Sequence, residues 1–271
     1  MVSCYGDRDE YAISSWTFED VDLEVALKTI AESGFRNVEL WGDTTHLDPR
    51  FQLPRRDVAS WLKRYHLSVH SLHTPFRNFP RFAEAAEGES WRRKLWLQSI
   101  DDCAALGAPI AVVHAMNRHE YNYGMDRVGF VHDTLAELCA HARSRGVALA
   151  LENIASGDRP GEEILCTLAE QKRLFGDIEG LRWCLDIGHV TLTSNDMKGE
   201  IDACLDRLVT LHVHNNDGSS DSHETPDRGV IDWPRWYDTL RGGGYKGQFV
   251  LEVYGRKTPF ERMRTMASLF T

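Results

Sequence analysis

The sequence has no run of about 18 consecutive apolar residues, the minimum expected of a membrane-crossing helix. Its opening, MVSCYGDRDEYAISSW, carries acidic residues and lacks the apolar core of an export signal. A soluble, cytoplasmic protein is therefore expected, with no membrane partner. No C-x-x-C pair occurs among the six cysteines (Cys4, Cys103, Cys139, Cys166, Cys184, Cys204), and several fall on apolar helix or strand positions. That argues against a structural cysteine-zinc site and for reduced core thiols. Nor does any Pro, Gly or Ser-rich stretch divide the chain. Residues 1–271 read as a single domain, near the ~250 residues typical of an eightfold α/β barrel. Basic residues are in deficit: the formal net charge is -10, so there is no general basic surface for phosphate backbones. This weighs against nucleic acid as a partner but leaves it open, because bound divalent cations would offset much of the charge locally.

What the sequence does contain is a series of apolar runs suited to buried parallel strands. They are YAISS from Tyr11, NVELW from Asn37, LSVHSLH from Leu67, PIAVVH from Pro109, VALALE from Val147, LRWCLD from Leu181, LVTLHVH from Leu208 and GQFVLEV from Gly247. Helical patterns lie between them. Leu23, Ala26, Leu27, Ile30 and Ala31 precede Gly34; Val128, Val131, Leu135, Leu138, Cys139 and Ala142 precede Gly146; Trp91, Leu95, Trp96, Ile100, Cys103 and Ala104 make a third. Ile201, Leu205 and Leu208 mark a helix between the sixth and seventh runs. Eight strand-helix units imply a (β/α)8 TIM barrel, with a doubly wound open sheet as the competing arrangement.

Alternation along the strands assigns faces. In VALALE, Val147, Leu149 and Leu151 point one way and Ala148, Ala150 and Glu152 the other. In the sixth run Trp183 and Leu185 oppose Cys184 and Asp186, and in the eighth Phe249, Leu251 and Val253 oppose Val250 and Glu252. The large apolar set suits packing under outer helices. The acids then point into the barrel near the strand C-termini, where barrel active sites are assembled.

Collecting the polar residues at the strand exits gives Glu39, His73, His114, Glu152, Asp186 with His189, His212 with His214, and Glu252, followed by Asp221 and His223 in the loop after strand seven. A single histidine at a strand end is more often a packing residue than a ligand, and D-x-x-H or H-x-H is weak in isolation. The joint placement changes the balance, because so many carboxylates in one barrel mouth would repel one another without a cation or protons. Imidazole and carboxylate donors without thiolates suit a catalytic divalent metal such as Zn, Mn, Co or Fe. His46, His66, His70, His119, His132 and His141 read as structural or surface residues, and Cys184, with no base partner, as core.

On these pieces the sequence resembles the xylose isomerase-like barrels, the superfamily that joins sugar isomerases and epimerases to endonuclease IV (AP endonuclease family 2). The pieces are HTPFRN at His73, LEN at Glu152, LDIGH at Asp186, HVHNND at His214, DSHETPDRGVIDW at Asp221 and LEVYG at Glu252, with Gly229, Ile231 and Asp232 resembling the family's G-x-I-D turn. For the epimerases the resemblance implies one metal on Glu152, Asp186, His214 and Glu252, with His189 near the substrate. For endonuclease IV it implies further ligands at His73, His114, Asp221 and His223, hence one to three metals per chain. Departures from the endonuclease pattern are IASGDRPG after Glu152 and Asn153, Ile187 and Gly188 in the strand-six motif, and HNNDG without its lysine. The resemblance thus keeps the metal cage and loses nucleic-acid recognition.

The expected activity is a divalent-metal-dependent sugar or sugar-phosphate isomerase or epimerase, with Glu152 and Glu252 exchanging a proton as base and acid through an enediolate. His189, Glu39, His212 and Arg228 are candidates to hold substrate oxygens, and Trp16 and Trp41 to stack on a sugar face. The alternative is a multi-zinc phosphoesterase, in which metals ~3.5–4 Å apart activate a water and Glu152 bridges them. A metal-binding barrel without catalysis is a third class. The sequence does not name the substrate, and oligomeric state stays open.

Overall fold

The computed structural model describes residues 5–43, 46–51, 53–76, 85–114, 127–155 and 166–270. His119, Cys4, the end of HTPFRN and most of IASGDRPG lie outside the described residues. The strands are β1 (Tyr11–Ser14), β2 (Asn37–Trp41), β3 (Ser68–His73), β4 (Ile110–His114), β5 (Ala148–Glu152), β6 (Arg182–Asp186), β7 (Leu208–Val213) and β8 (Phe249–Leu251). Each pairs in parallel with the next, and β1 closes on β8 through Tyr11 with Phe249, Ala12 with Val250 and Ile13 with Leu251. This closure excludes the open sheet and confirms the TIM barrel.

The helices are α1 (Leu23–Glu32), α2 (Arg55–Tyr65), α3 (Ala85–Leu106), α4 (Arg127–Ser144), α5 (Leu168–Phe175), α6 (Ile187–Leu192), α7 (Met197–Cys204), α8 (Trp233–Gly242) and α9 (Pro259–Ser268). Gly34, Gly107 and Gly146 follow α1, α3 and α4 with positive φ, the left-handed stop that a glycine tolerates without strain. His66 takes the same conformation after α2. Between β6 and β7 the apolar spacing misled in one detail. The helix ends at Cys204 and Leu208 opens β7, while the D-x-x-H stretch coils into the separate short helix α6.

The two strand faces separate as alternation requires. Leu149, Leu151, Trp183, Leu185, Phe249 and Leu251 join one continuous core with the helices. Fully burying one such side chain contributes roughly 1.5–3 kcal/mol. Ile110, Val112, Ala150 and Cys184 form a small apolar cluster of their own, with Val209 against it. Burial pushes the Cys184 thiol well above its ordinary value, in keeping with a core residue.

Two irregularities break the alternation. Val38 pairs with Val69 but Glu39 with Ser71, so His70 is an extra residue in β3; Trp183 pairs with Leu208 but Cys184 with Thr210, so Val209 is an extra residue in β7. His70 Nε2 lies 3.0 Å from Thr210 Oγ1, across the barrel interior from β3 to β7. Burial pushes its pKa down to about 4. An unfolded histidine titrates near 6.5, so the folded state loses stability as pH falls from ~6.5 towards 4, by about 2 kcal/mol at pH 5. Denaturant unfolding of the wild type and a non-titrating His70→Gln variant at pH 7 and pH 5 checks this. The wild type is expected to lose that much relative to the variant, and a pH-independent difference between them would refute the assignment.

His46 is structural, as its sequence setting suggested, and tautomerically fixed. Its Nε2 donates to the Val21 carbonyl at 2.9 Å, so Nδ1 accepts from Ser15 Oγ at 3.1 Å, and Ser15 Oγ in turn accepts from the Trp41 amide at 2.8 Å. This ties the turn after β1 to the end of β2, on the rim of the barrel mouth.

Candidate metal centre

Side chains from β2 to β8 converge at the C-terminal mouth. Glu152, Asp186, His73 and His114 are the last residues of their strands, His212 lies inside β7, and His214 and Glu252 follow β7 and β8 directly. Glu152, Asp186 and Glu252 are all but fully buried. Among the described residues, three groups each bring their donor atoms within 4.8 Å of one another: Glu152, Asp186, His212 and Glu252; His73, Glu152 and His212; and His189, His214, Asp221 and His223.

The first group contains His212 where the resemblance pointed to His214. His212 Nδ1 sits 2.8 Å from Glu152 Oε1 and 3.3 Å from Glu252 Oε2. His214 approaches Asp186 from the other side, with Nε2 3.0 Å from Oδ1, and its ring stacks on His223 at 3.7 Å. Asp186 therefore belongs to one group and borders another. His73 and His114 both direct Nε2 at Glu152 Oε2, at 3.2 and 3.1 Å, so Glu152 alone touches three imidazoles.

The imidazoles carry a feature expected of metal ligands. His73 Nδ1 donates to the Thr74 carbonyl, His189 Nδ1 to the Asn153 carbonyl and His223 Nδ1 to the Glu252 carbonyl, at 2.8–2.9 Å. A carbonyl only accepts, so Nδ1 carries a proton in each ring, and Nε2 is the nitrogen turned to the mouth, where it faces a carboxylate. That is the outer-sphere arrangement that fixes the tautomer of a ligating histidine. His189 and His223 both aim Nε2 at Asp221 Oδ2, at 3.3 and 3.2 Å.

Charge is distributed unevenly. Burial alone would raise Glu152, but His212 and His114 outweigh it and hold this carboxyl well below its usual range. Burial raises Glu252 well above the carboxylate range; His212 opposes this, and the neighbouring Glu152, Glu39 and Asp186 add to it. Burial works against the charged form of His189, yet Asp186 and Asp221 leave it well above an ordinary histidine. Asp221 is held low against burial by His189 and His223. Two neighbouring carboxyls pulled apart in this way can serve as base and acid.

The remaining expected substrate contacts are placed as follows. Glu39 is fully buried beneath His212, with Oε2 3.1 Å from its Nε2. Trp16 stacks between Trp41 at 5.2 Å and Tyr254 at 5.0 Å, so its two faces meet other rings and the stack walls the mouth. Arg228 is exposed on the loop between β7 and α8.

Sequence reasoning missed the asparagines that fix the ligands, although Asn153 directly follows Glu152, and Asn215 and Asn216 follow His214. Asn153 accepts from the Asp186 amide through Oδ1 and donates to the Asp186 carbonyl through Nδ2, at 2.7 and 2.9 Å, locking the ends of β5 and β6 together. Asn215 donates to the carbonyls of Pro226 and Ile231 and accepts from the Ile231 amide, and Asn216 donates to the Gly188 carbonyl. These bonds hold the loop that bears Asp221 and His223. Gly188 is required for another reason: a Cβ there would lie 2.0 Å from the His214 ring.

Residues 27–270 match the protein family described as xylose isomerase-like TIM barrel. Among curated relatives, fructoselysine 3-epimerase of Shigella flexneri is 22% identical over 242 residues, 85% of each chain. Among solved structures, a D-tagatose 3-epimerase-like protein superposes with a TM-score of 0.79 at 20% identity, covering 96% of both chains. The IOLI protein, whose structure holds a zinc atom, superposes with a TM-score of 0.77 at 17% identity over 96% of this chain and 95% of that one. At these identities the structural likeness speaks for the fold.

Proposed function

The chain belongs to the xylose isomerase-like TIM barrel family, and from that premise we propose that it is a divalent-metal-dependent epimerase or isomerase of a small sugar or sugar phosphate. The observation that carries the reading is the pair Glu152 and Glu252. Two buried carboxyls lie in one donor group, and their surroundings push them apart, Glu152 below and Glu252 above its ordinary value. An epimerase relative that aligns along most of its length supports the same chemistry.

The donor set suits a divalent cation. It offers carboxylate oxygens and imidazole nitrogens without thiolate, and the histidine tautomers present Nε2 to the mouth. Glu152, Asp186 and Glu252 would hold it together with His214, whose Nε2 lies 3.0 Å from Asp186 Oδ1 and whose buried Nδ1 has no hydrogen-bond partner among the described residues. Such a cation supplies Lewis-acid polarisation of adjacent carbonyl and hydroxyl oxygens on a sugar. Glu152, ionised, takes the proton from the carbon beside the carbonyl. Glu252 would return one from its own carboxyl to the opposite face, so the configuration inverts with no net change in protons on the sugar. General acid–base assistance of this kind is worth about 10²–10⁴ in rate. His189 stands next to this pair with its Nε2 on Asp221, suited to hold a substrate oxygen.

A specific observation favours a second reading, phosphate-ester hydrolysis. Glu152 Oε2 is shared by His73 and His114, and His189, His214, Asp221 and His223 form a separate donor group, enough for more than one metal. Incubation of free and phosphorylated ketopentoses and ketohexoses with the Mn²⁺-loaded protein in D2O separates the two. Proton NMR is expected to show deuterium entering beside the carbonyl of at least one sugar. Hydrolysis of bis-p-nitrophenyl phosphate with no exchange into any sugar would overturn the epimerase reading.

A further inference from the structure

Among the described residues, four that are not glycine have a positive φ: His66, Asn195, His223 and Arg256. Two of them are stops just past a helix. The His66 amide bonds back to the Lys63 carbonyl in α2, and the Asn195 amide to the Val190 carbonyl in α6. The other two lie at the mouth, on the loops after β7 and β8, and the loops touch there: Arg256 Nη2 donates to the Ser222 carbonyl, beside His223, at 3.5 Å. Histidine is among the residues that enter the left-handed region most readily, and His223 is held in it by its ring stack and its bond to the Glu252 carbonyl. Arginine has no such ease. Its backbone there costs about 1–3 kcal/mol, which a glycine would avoid, so the side chain is kept for something. The fold makes little use of it. Arg256 is half exposed, and its nearest acid, Glu224, is 3.7 Å away and already paired with Arg262.

The position of the guanidinium suggests the use. It lies over the Tyr254 ring, 5.9 Å from the centroid. Tyr254 stacks on Trp16, and the edge of Trp16 meets His223, at 5.0 and 4.5 Å between centroids. The aromatic wall thus runs from the donor groups to a cation at the rim. Inside the mouth, Glu152, Asp186, Asp221 and Glu252 would repel an anionic substituent, which therefore has to be met farther out. A guanidinium suits a phosphate, since its fork of N–H donors matches two phosphate oxygens at once. We propose that Arg256 is a specificity-determining residue that selects a phosphorylated ketose, binding the terminal phosphate at the rim while the carbons to be epimerised lie at Glu152 and Glu252. This rests on the epimerase reading and narrows its substrate to the sugar phosphates.

Deuterium-exchange kinetics on the Mn²⁺-loaded protein test the proposal, with D-ribulose 5-phosphate against D-ribulose and D-fructose 6-phosphate against D-fructose. Wild type is compared with Arg256→Gln and with Lys246→Gln. Lys246 is exposed between α8 and β8, at the opposite end of the barrel, and controls for the loss of one surface charge. We expect the wild type to favour a phosphorylated sugar over its free counterpart at least tenfold in kcat/KM. Arg256→Gln should cut that preference about 10–100-fold, chiefly through KM, the change expected for losing a charge-assisted hydrogen bond, and Lys246→Gln should keep it. Circular dichroism checks that the variants fold. No preference in the wild type, or the same preference in Arg256→Gln, would overturn the role of Arg256 and leave the epimerase reading standing. Exchange into no sugar would overturn that reading instead, and calorimetric titration with D-ribulose 5-phosphate would then decide the phosphate site. Binding that Arg256→Gln weakens by the same factor would support it; equal affinity in both proteins, or no binding, would overturn it.

Discussion

Replacing Glu152 with glutamine is expected to lower kcat by about 10²–10⁴, the range that general acid–base catalysis supplies. Glu152 offers one oxygen to His212 and the other to His73 and His114, so an amide, with a single acceptor oxygen, loses one of these sets and the charge. Glu252→Gln should reduce turnover comparably and for a different reason. Burial favours the neutral acid at that position, and a glutamine there has no carboxyl proton to return. The barrel should stay folded in both variants, because its core lies between the strands and the helices, away from the mouth. Steady-state kinetics on the exchanging sugar, with circular dichroism as the folding control, provides the check. Near-normal turnover in either variant would refute the assigned role.

Metal removal should have the second largest effect. A ligand present at a hundredfold excess over its Kd stabilises the folded state by about 2.7 kcal/mol. For a domain of this size such a change moves Tm by roughly 2–4 °C per kcal/mol, hence on the order of 5–10 °C. Stripping with a chelator leaves Glu152, Asp186 and Glu252 facing one another with only imidazoles to compensate them. Activity should vanish together with the lost stability, and both should return on adding Mn²⁺, Co²⁺ or Zn²⁺. Identical melting curves and activity before and after chelation would argue against a bound cation.

Much of this was legible in the sequence because β-strand physics writes it there. Glu152 and Asp186 end apolar runs, and period-two alternation sends them to the face opposite Leu151 and Leu185. Alternation alone does not separate His212 from His214. Two residues apart, one inside β7 and one just after it, they share a face and differ in their depth in the mouth. That His70 is structural agrees with its sequence reading, but its contact with Thr210 was not legible, because the extra residue in β3 shifts the pleat and no pattern in LSVHSLH marks it. Glu39 was read as facing substrate, and the structure places it under His212. A strand exit gives a residue's face without telling which neighbours have already taken its oxygens. The asparagines after Glu152 and His214 were visible as letters, yet their work is long-range: Asn153 grips Asp186, and Asn215 grips Ile231.

The central claim is that the mouth of this barrel is a metal centre, and elemental analysis of protein purified without chelator or added metal tests it most directly. We predict about one divalent ion per chain, manganese, cobalt or zinc, the number that proton transfer on a sugar requires. Two or three zinc ions per chain would shift the assignment to phosphate-ester hydrolysis on the same cage. Protein that carries no divalent metal, and takes up none on addition, would contradict the account.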